Sequence, residues 1–189
     1  MECNYRDREM KNALQHVCRE LQNIIHSSFD KIHFSELKDC QSILIIRSAS
    51  IGVLREFISK LDNINNSIKK YVITSYTNKD ELEELYGDSV EIIEYIYNGN
   101  YDVSRFDEIF DYLNQKFFDK VVVLYNNRFG TGYENVEEIV ERISPDVYYA
   151  FNSYMELYKV NNLTLKKESI QLYRQICNWY WEYSGVGRK

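Results

Sequence analysis

Between Ser42 and Phe151 one pattern recurs: a short aliphatic run, a polar loop, then apolar residues spaced three and four apart. The runs read SILIIRS (Ser42 to Ser48), YVITSY (Tyr71 to Tyr76), VEIIEYIY (Val90 to Tyr97), KVVVLY (Lys120 to Tyr125) and DVYYAF (Asp146 to Phe151). Near-continuous Ile, Leu and Val over so few residues marks strands covered on both faces, as in a parallel sheet. The intervening segments carry a helical period. Val53, Leu54, Phe57, Ile58 and Leu61 form one apolar stripe, and Phe106, Ile109, Phe110, Leu113 and Phe117 another. Val136, Ile139, Val140 and Ile143 form a third. A shorter helix starts after Asn78, with Glu81 three residues on and Gly87 at its end.

Strands that alternate with helices give an α/β fold with right-handed crossovers. The expected architecture is a three-layer Rossmann-like fold with a mostly parallel sheet of about five strands, plus additional N- and C-terminal helices. The N-terminal helix is read from Arg8 to Ser28, where Ala13, Leu14, Val17, Cys18, Leu21, Ile24 and Ile25 recur at helical spacing. The C-terminal one is read from a Thr164 cap to Tyr183, with Gly185 beyond it. No internal repeat or linker interrupts the 189 residues. They are read as a single α/β domain: 1–40 the N-terminal helix and connector, 41–151 the Rossmann-like core, 152–189 the C-terminal helix.

Composition narrows the function. Hydrophobic residues at 44% and charged residues at 28% argue against disorder. A net charge of −6 repels phosphate backbones, and no Lys/Arg cluster exceeds the pairs Lys69-Lys70 and Lys166-Lys167, so no nucleic-acid partner is expected. No apolar stretch approaches the ~18 residues of a spanning helix, and the charged N-terminus lacks a signal-peptide core. No membrane partner is expected, and the localisation read is cytoplasmic. Cys3, Cys18, Cys40 and Cys177 form no CxxC pair and read as reduced thiols; no metal site is expected. The 17 tyrosines, beside many Asn, Ile and Lys, are what AT-rich codon usage produces.

Ligands of open parallel sheets bind beyond the carboxyl ends of the strands, where strand order reverses. That rule nominates RSASIGV, SYTNKD, YNGNYDVS and NNRFGTGYEN, the loops after the first four runs. In the first, Ser48, Ser50 and Gly52 stand at a helix entrance, where free N–H groups and small hydroxyls suit an anion; a plain turn capped by Ser50 is the alternative. The fourth is long for a strand-to-helix connection. Arg128 offers a planar fork for a carboxylate or phosphate. Gly130 and Gly132 permit positive φ or close backbone approach. Tyr133 offers a ring face, and Asn126, Asn127 and Asn135 offer amides. Such a mixture suits a polar, hydroxyl-rich or anionic ligand, although Asn and Gly also serve merely to turn a chain.

Catalytic motifs do not accompany this cleft. There is no GxSxG elbow, HExxH or dinucleotide fingerprint, so neither a cofactor nor a catalytic residue is assigned. His16, His26 and His33 precede the sheet, and the glutamates of KDELEEL and ENVEEIVE fall on solvated helix faces. Trp179 and Trp181, two apart on one helix, point different ways, so at least one is expected to meet solvent or a partner: a homo-oligomer or protein partner is the inference.

The segments ILIIRSASIGV, YVITSYTN, VEIIEYIYN and KVVVLYNN, in that order and spacing, resemble the N-terminal half of GT-B glycosyltransferases of the heptosyltransferase type. The match rests on Arg47, Ser48, Ser50, Ile51 and Gly52 and spans roughly Ser42 to Phe151. In that family an acidic residue follows as the catalytic base. Here that position is Val53, which moves no proton. The chain also has no room for the second Rossmann domain that holds the nucleotide-sugar donor. The resemblance therefore implies an acceptor-domain relic, standing alone or as a subunit of a split glycosyltransferase. The leading expectation is a non-catalytic α/β module that binds a small polar or sugar-related ligand at the C-terminal edge of the sheet. A structural protein-interaction module is the other alternative.

Overall fold

The computed structural model describes residues 2–97, 99–130, 132–144, 146–161, 168–173 and 175–176. Thr164, Trp179 and Trp181 lie outside the described residues. The chain runs α1 (Glu2–Ser27), β1 (Phe29–Ile32), β2 (Ser42–Arg47), α2 (Ile51–Asn65), β3 (Lys69–Ser75), α3 (Lys79–Tyr86) and β4 (Val90–Tyr95). It continues through α4 (Asp107–Leu113), β5 (Lys120–Tyr125), α5 (Glu134–Ile143), β6 (Tyr148–Asn152) and β7 (Leu157–Val160). Two compact units emerge: Met1–Ser28 with Thr164–Lys189, and Phe29–Leu163. The smaller contains α1, where Leu21 and Ile25 are buried, and helical residues 168–173 and 175–176.

The larger unit holds the whole sheet, in the order β1-β7-β6-β5-β2-β3-β4. All five expected strands are present, and they pair in parallel: β2 with β3 and β5, β3 with β4, β5 with β6. The count of about five is corrected to seven, and the sheet is mixed. β7 pairs antiparallel with β6, and β1 antiparallel with β7. Both extra strands are four residues long, and both lie in segments read as connector or C-terminal helix.

Alternation along the strands sends side chains to two faces. Ile43 and Ile45 of β2 and Val122 and Leu124 of β5 join Val53, Leu54, Phe57, Ile58 and Leu61 of α2 in one continuous core, with Leu82 of α3. Leu44 and Ile46, equally inaccessible, face the other way. On that side the Tyr95 ring stacks on Phe106, just before α4, with centroids 5.0 Å apart, and Tyr125 reaches α5. Helices thus cover both faces, which explains the uninterrupted aliphatic character of the central strands. One stripe ends early. α4 stops at Leu113, so the helical period no longer governs Phe117, which is 76% exposed rather than buried.

Candidate site at the strand-order reversal

Strands β2, β3 and β4 are laid down outward in one direction, and β5 then returns to the other side of β2. Strand order therefore reverses between β2 and β5, whose ends are in register, Arg47 opposite Leu124. The two helices that follow leave to opposite faces, and a crevice between their loops is the geometric consequence. A cleft of about 510 Å³ opens there. Arg47 at the end of β2, with Ser48 and Ala49 after it, walls one side, and Asn126, Gly132, Tyr133, Asn135 and Val136 after β5 the other. Ser75 at the end of β3, Asn78 beyond it, and Gly99 to Tyr101 after β4 complete it.

Hydrogen bonds join the two principal loops. The Ser48 hydroxyl donates to Leu124 O at 2.6 Å, and the Ser50 amide donates to Asn126 Oδ1 at 3.1 Å. The Asn126 amide in turn donates to the Tyr133 hydroxyl at 3.1 Å. Ser50 occupies the N-cap of α2 through its backbone, its carbonyl accepting from the Val53 and Leu54 amides, while its side chain makes no cap bond. Gly52 is exposed, and a Cβ there would meet only Ser50 Oγ, 3.9 Å away.

The loop after β5 is shaped by what lies beneath it. Gly130 has φ +69°, and a Cβ there would stand 2.5 Å from Cζ of Tyr125. The Gly130 amide donates to Asn127 Oδ1 at 2.6 Å, closing the turn. Tyr125 is buried, and its hydroxyl donates to Glu137 Oε1 at 3.0 Å while lying 2.9 Å from the Tyr148 hydroxyl. Tyr148 reaches the same carboxylate oxygen at 3.2 Å. Burial pushes both phenols well above their ordinary pKa, so they act as donors at all physiological pH. The Tyr133 ring stands edge-on to Tyr125 at 5.0 Å.

Four of the eight residues singled out from sequence therefore wall the cleft: Ser48, Asn126, Gly132 and Tyr133. Ser50, Gly52, Arg128 and Gly130 do not. Arg128 makes a two-pronged ion pair with Glu156, Nε to Oε2 at 2.8 Å and Nη2 to Oε1 at 3.2 Å, and lies against the Tyr154 ring. Its fork is taken by the strip between β6 and β7.

No protein-family model, curated protein or solved structure matches this chain. The site is accordingly read from its own chemistry. The guanidinium in its wall belongs to Arg47, the last residue of β2. Arg47 Nη1 donates to Thr74 Oγ1 at 3.1 Å, and its Nε is buried with no hydrogen-bond partner. Burial pulls the guanidinium below its ordinary pKa, opposed by Tyr101 and Glu81. Tyr101, from the loop after β4, is buried over the sheet end. Its hydroxyl lies 2.9 Å from Arg47 O and 3.2 Å from Ile73 O, and its carbonyl accepts from Asn135 at 2.7 Å. Arg47, Ser75, Asn78 and Tyr101 all lie in loops that the strand-end rule nominates, RSASIGV, SYTNKD and YNGNYDVS, but are not among the eight residues singled out within them.

A second hollow, about 470 Å³, lies at the opposite end of the sheet, between the α4–β5 and α5–β6 connections, lined in part by Lys116, Asp119, Lys120 and Arg142. It lies away from the strand-order reversal, at the amino ends of β5 and β6. Among the described residues no group of three or more His, Cys, Asp or Glu side chains is placed to hold a metal ion.

Proposed function

We propose that this chain is a ligand-binding α/β module that takes a small polar, sugar-like molecule into the cleft between the β2 and β5 loops. The observation that carries the reading is the cleft itself: about 510 Å³, at the strand-order reversal, walled by amides and hydroxyls. That volume lies within the ordinary range for small-molecule sites, roughly 300–1,000 Å³. Ser48, Ser75, Asn78, Asn126 and Asn135 border it from separate loops, and although each makes one hydrogen bond within the protein, a hydroxyl or carboxamide has more than one bonding position and keeps capacity for a guest. Among the described residues no Asp, Glu, His, Lys or Cys lines it, which favours binding over acid–base or nucleophilic catalysis.

Asn100 is exposed on the cleft wall and offers a means of blocking it. In a thermal-shift screen of monosaccharides, sugar phosphates and nucleotides, at least one class is expected to raise the melting temperature of the wild type. Asn100→Trp, which fills the cleft from its rim, is expected to melt normally and lose the response. A screen in which no compound shifts the wild type, or in which Asn100→Trp responds as the wild type does, removes the reading.

A further inference from the structure

The charges around the cleft narrow what it takes. The chain carries 29 acidic residues against 23 basic, yet among the described residues the lining contains one formal charge, that of Arg47, and no carboxylate. Arg55, Arg105, Arg128 and Arg142 each have a carboxylate within 4.0 Å. Among the described residues none lies that close to Arg47. Glu81 acts on it only from beyond ion-pair distance and is itself 3.9 Å from Arg55. A half-buried guanidinium with one hydrogen bond and an unpartnered Nε is poorly compensated for its lost hydration. An arriving oxyanion supplies the missing countercharge. The adjoining helix end adds to this. The first turn of α2 has no acidic residue, so its positive end is not neutralised locally, whereas α5 begins with Glu134 and Glu137.

We propose that the cleft selects a hydroxyl-rich small molecule bearing one compact oxyanion, a phosphomonoester or a carboxylate, which pairs with Arg47 while the surrounding amides hold the neutral part. This rests on the ligand-binding reading above and adds the charge and its partner. The neutral part meets Asn78, Asn126 and Asn135 and the Ser48 and Ser75 hydroxyls, a set suited to sugar hydroxyls.

Titration calorimetry on the full chain with matched sets tests it: a hexose, its phosphate and its aldonate; a pentose and its phosphate; adenosine and its monophosphate. In at least one set the charged member is expected to bind about tenfold or more tightly than its neutral parent, as one charge-assisted pair supplies. That preference should weaken with added salt and vanish in Arg47→Gln, with Arg47→Lys, which keeps the charge without the fork, in between. Phosphate and aldonate arms separate the two oxyanions. Neutral parents that bind as tightly as their charged partners, with binding lost in Asn100→Trp, overturn the oxyanion but keep the cleft. A charged preference that survives intact in a folded Arg47→Gln overturns the assignment to Arg47. Absence of binding by every member overturns both readings.

Discussion

Gly130 meets the Tyr125 ring at a separation that leaves no room for a methyl group, in a backbone conformation that L side chains rarely adopt. Gly130→Ala is therefore expected to cost about 2–4 kcal/mol, from steric overlap and left-handed strain together. Gly52 provides the contrast: its φ is ordinary and nothing crowds its Cβ position, so Gly52→Ala on helix α2 should stabilise by roughly 0.5–1 kcal/mol. Paired urea titrations check both signs, and equal effects at the two glycines would contradict the account. The GTG stretch showed in sequence that close approach or positive φ was permitted there, but not whether or for what it was used. The answer is the buried tyrosine five residues earlier, whose hydroxyl leads to Glu137. The two arginines illustrate the opposite case. Arg128 and Arg47 both stand near carboxyl ends of parallel strands, and only the structure shows that Glu156, on the far side of a turn, engages Arg128. That partner belongs to a region where no strand was legible, so the competition for the guanidinium was invisible.

At the scale of the element, legibility followed burial. β2, β3, β5 and β6 are covered on both faces and read as aliphatic or aromatic runs. β1 and β7, reading FDKI and LYKV, are short and lie at or next to the sheet's end, with a lysine in each, which hides them from any periodicity test. Their attachment is partly ionic. Burial pushes the Glu156 carboxyl up, but hydrogen bonds from Lys31 of β1, Tyr158 of β7 and Arg128 outweigh it and hold the group at about 2, below its ordinary 4.5. Lys31 Nζ lies 2.9 Å from Oε1, and the Tyr158 hydroxyl donates to Oε2 at 2.9 Å. Because the folded value is depressed, this contribution to stability is complete above about pH 4.5 and is lost as pH falls toward 2. Glu156→Gln should lower the melting temperature at neutral pH by a few degrees. The gap between variant and wild type should then close across that acid window. A gap that stays constant from neutral pH to pH 2 would show that the cluster does not hold the edge.

For the whole molecule, the division into two units carries its own expectation. Residues 29–163 contain every strand of the sheet and helices on both of its faces. A fragment of that span should keep one cooperative urea transition and the near-ultraviolet circular dichroism of its buried tyrosines. A broad, non-cooperative melt would show instead that the smaller unit is required for the larger to fold. The sequence conveyed the parallel centre of the sheet and the loops that border the crevice at its strand-order reversal. It did not convey the antiparallel edge or the residue that charges the cleft, because each depends on contacts between segments far apart along the chain.

Phe29 pairs with Val160, although 130 residues separate them along the chain. A ribosome emits β1 before any other strand, yet its docking place exists only once β7 has emerged and joined β6. Throughout synthesis the nascent chain must therefore carry β1 unpaired while the central strands assemble, and the sheet is sealed on that side by nearly its earliest and its latest pieces together. Closure of this edge is expected to be the late step in folding, as the loop entropy of so distant a pairing demands.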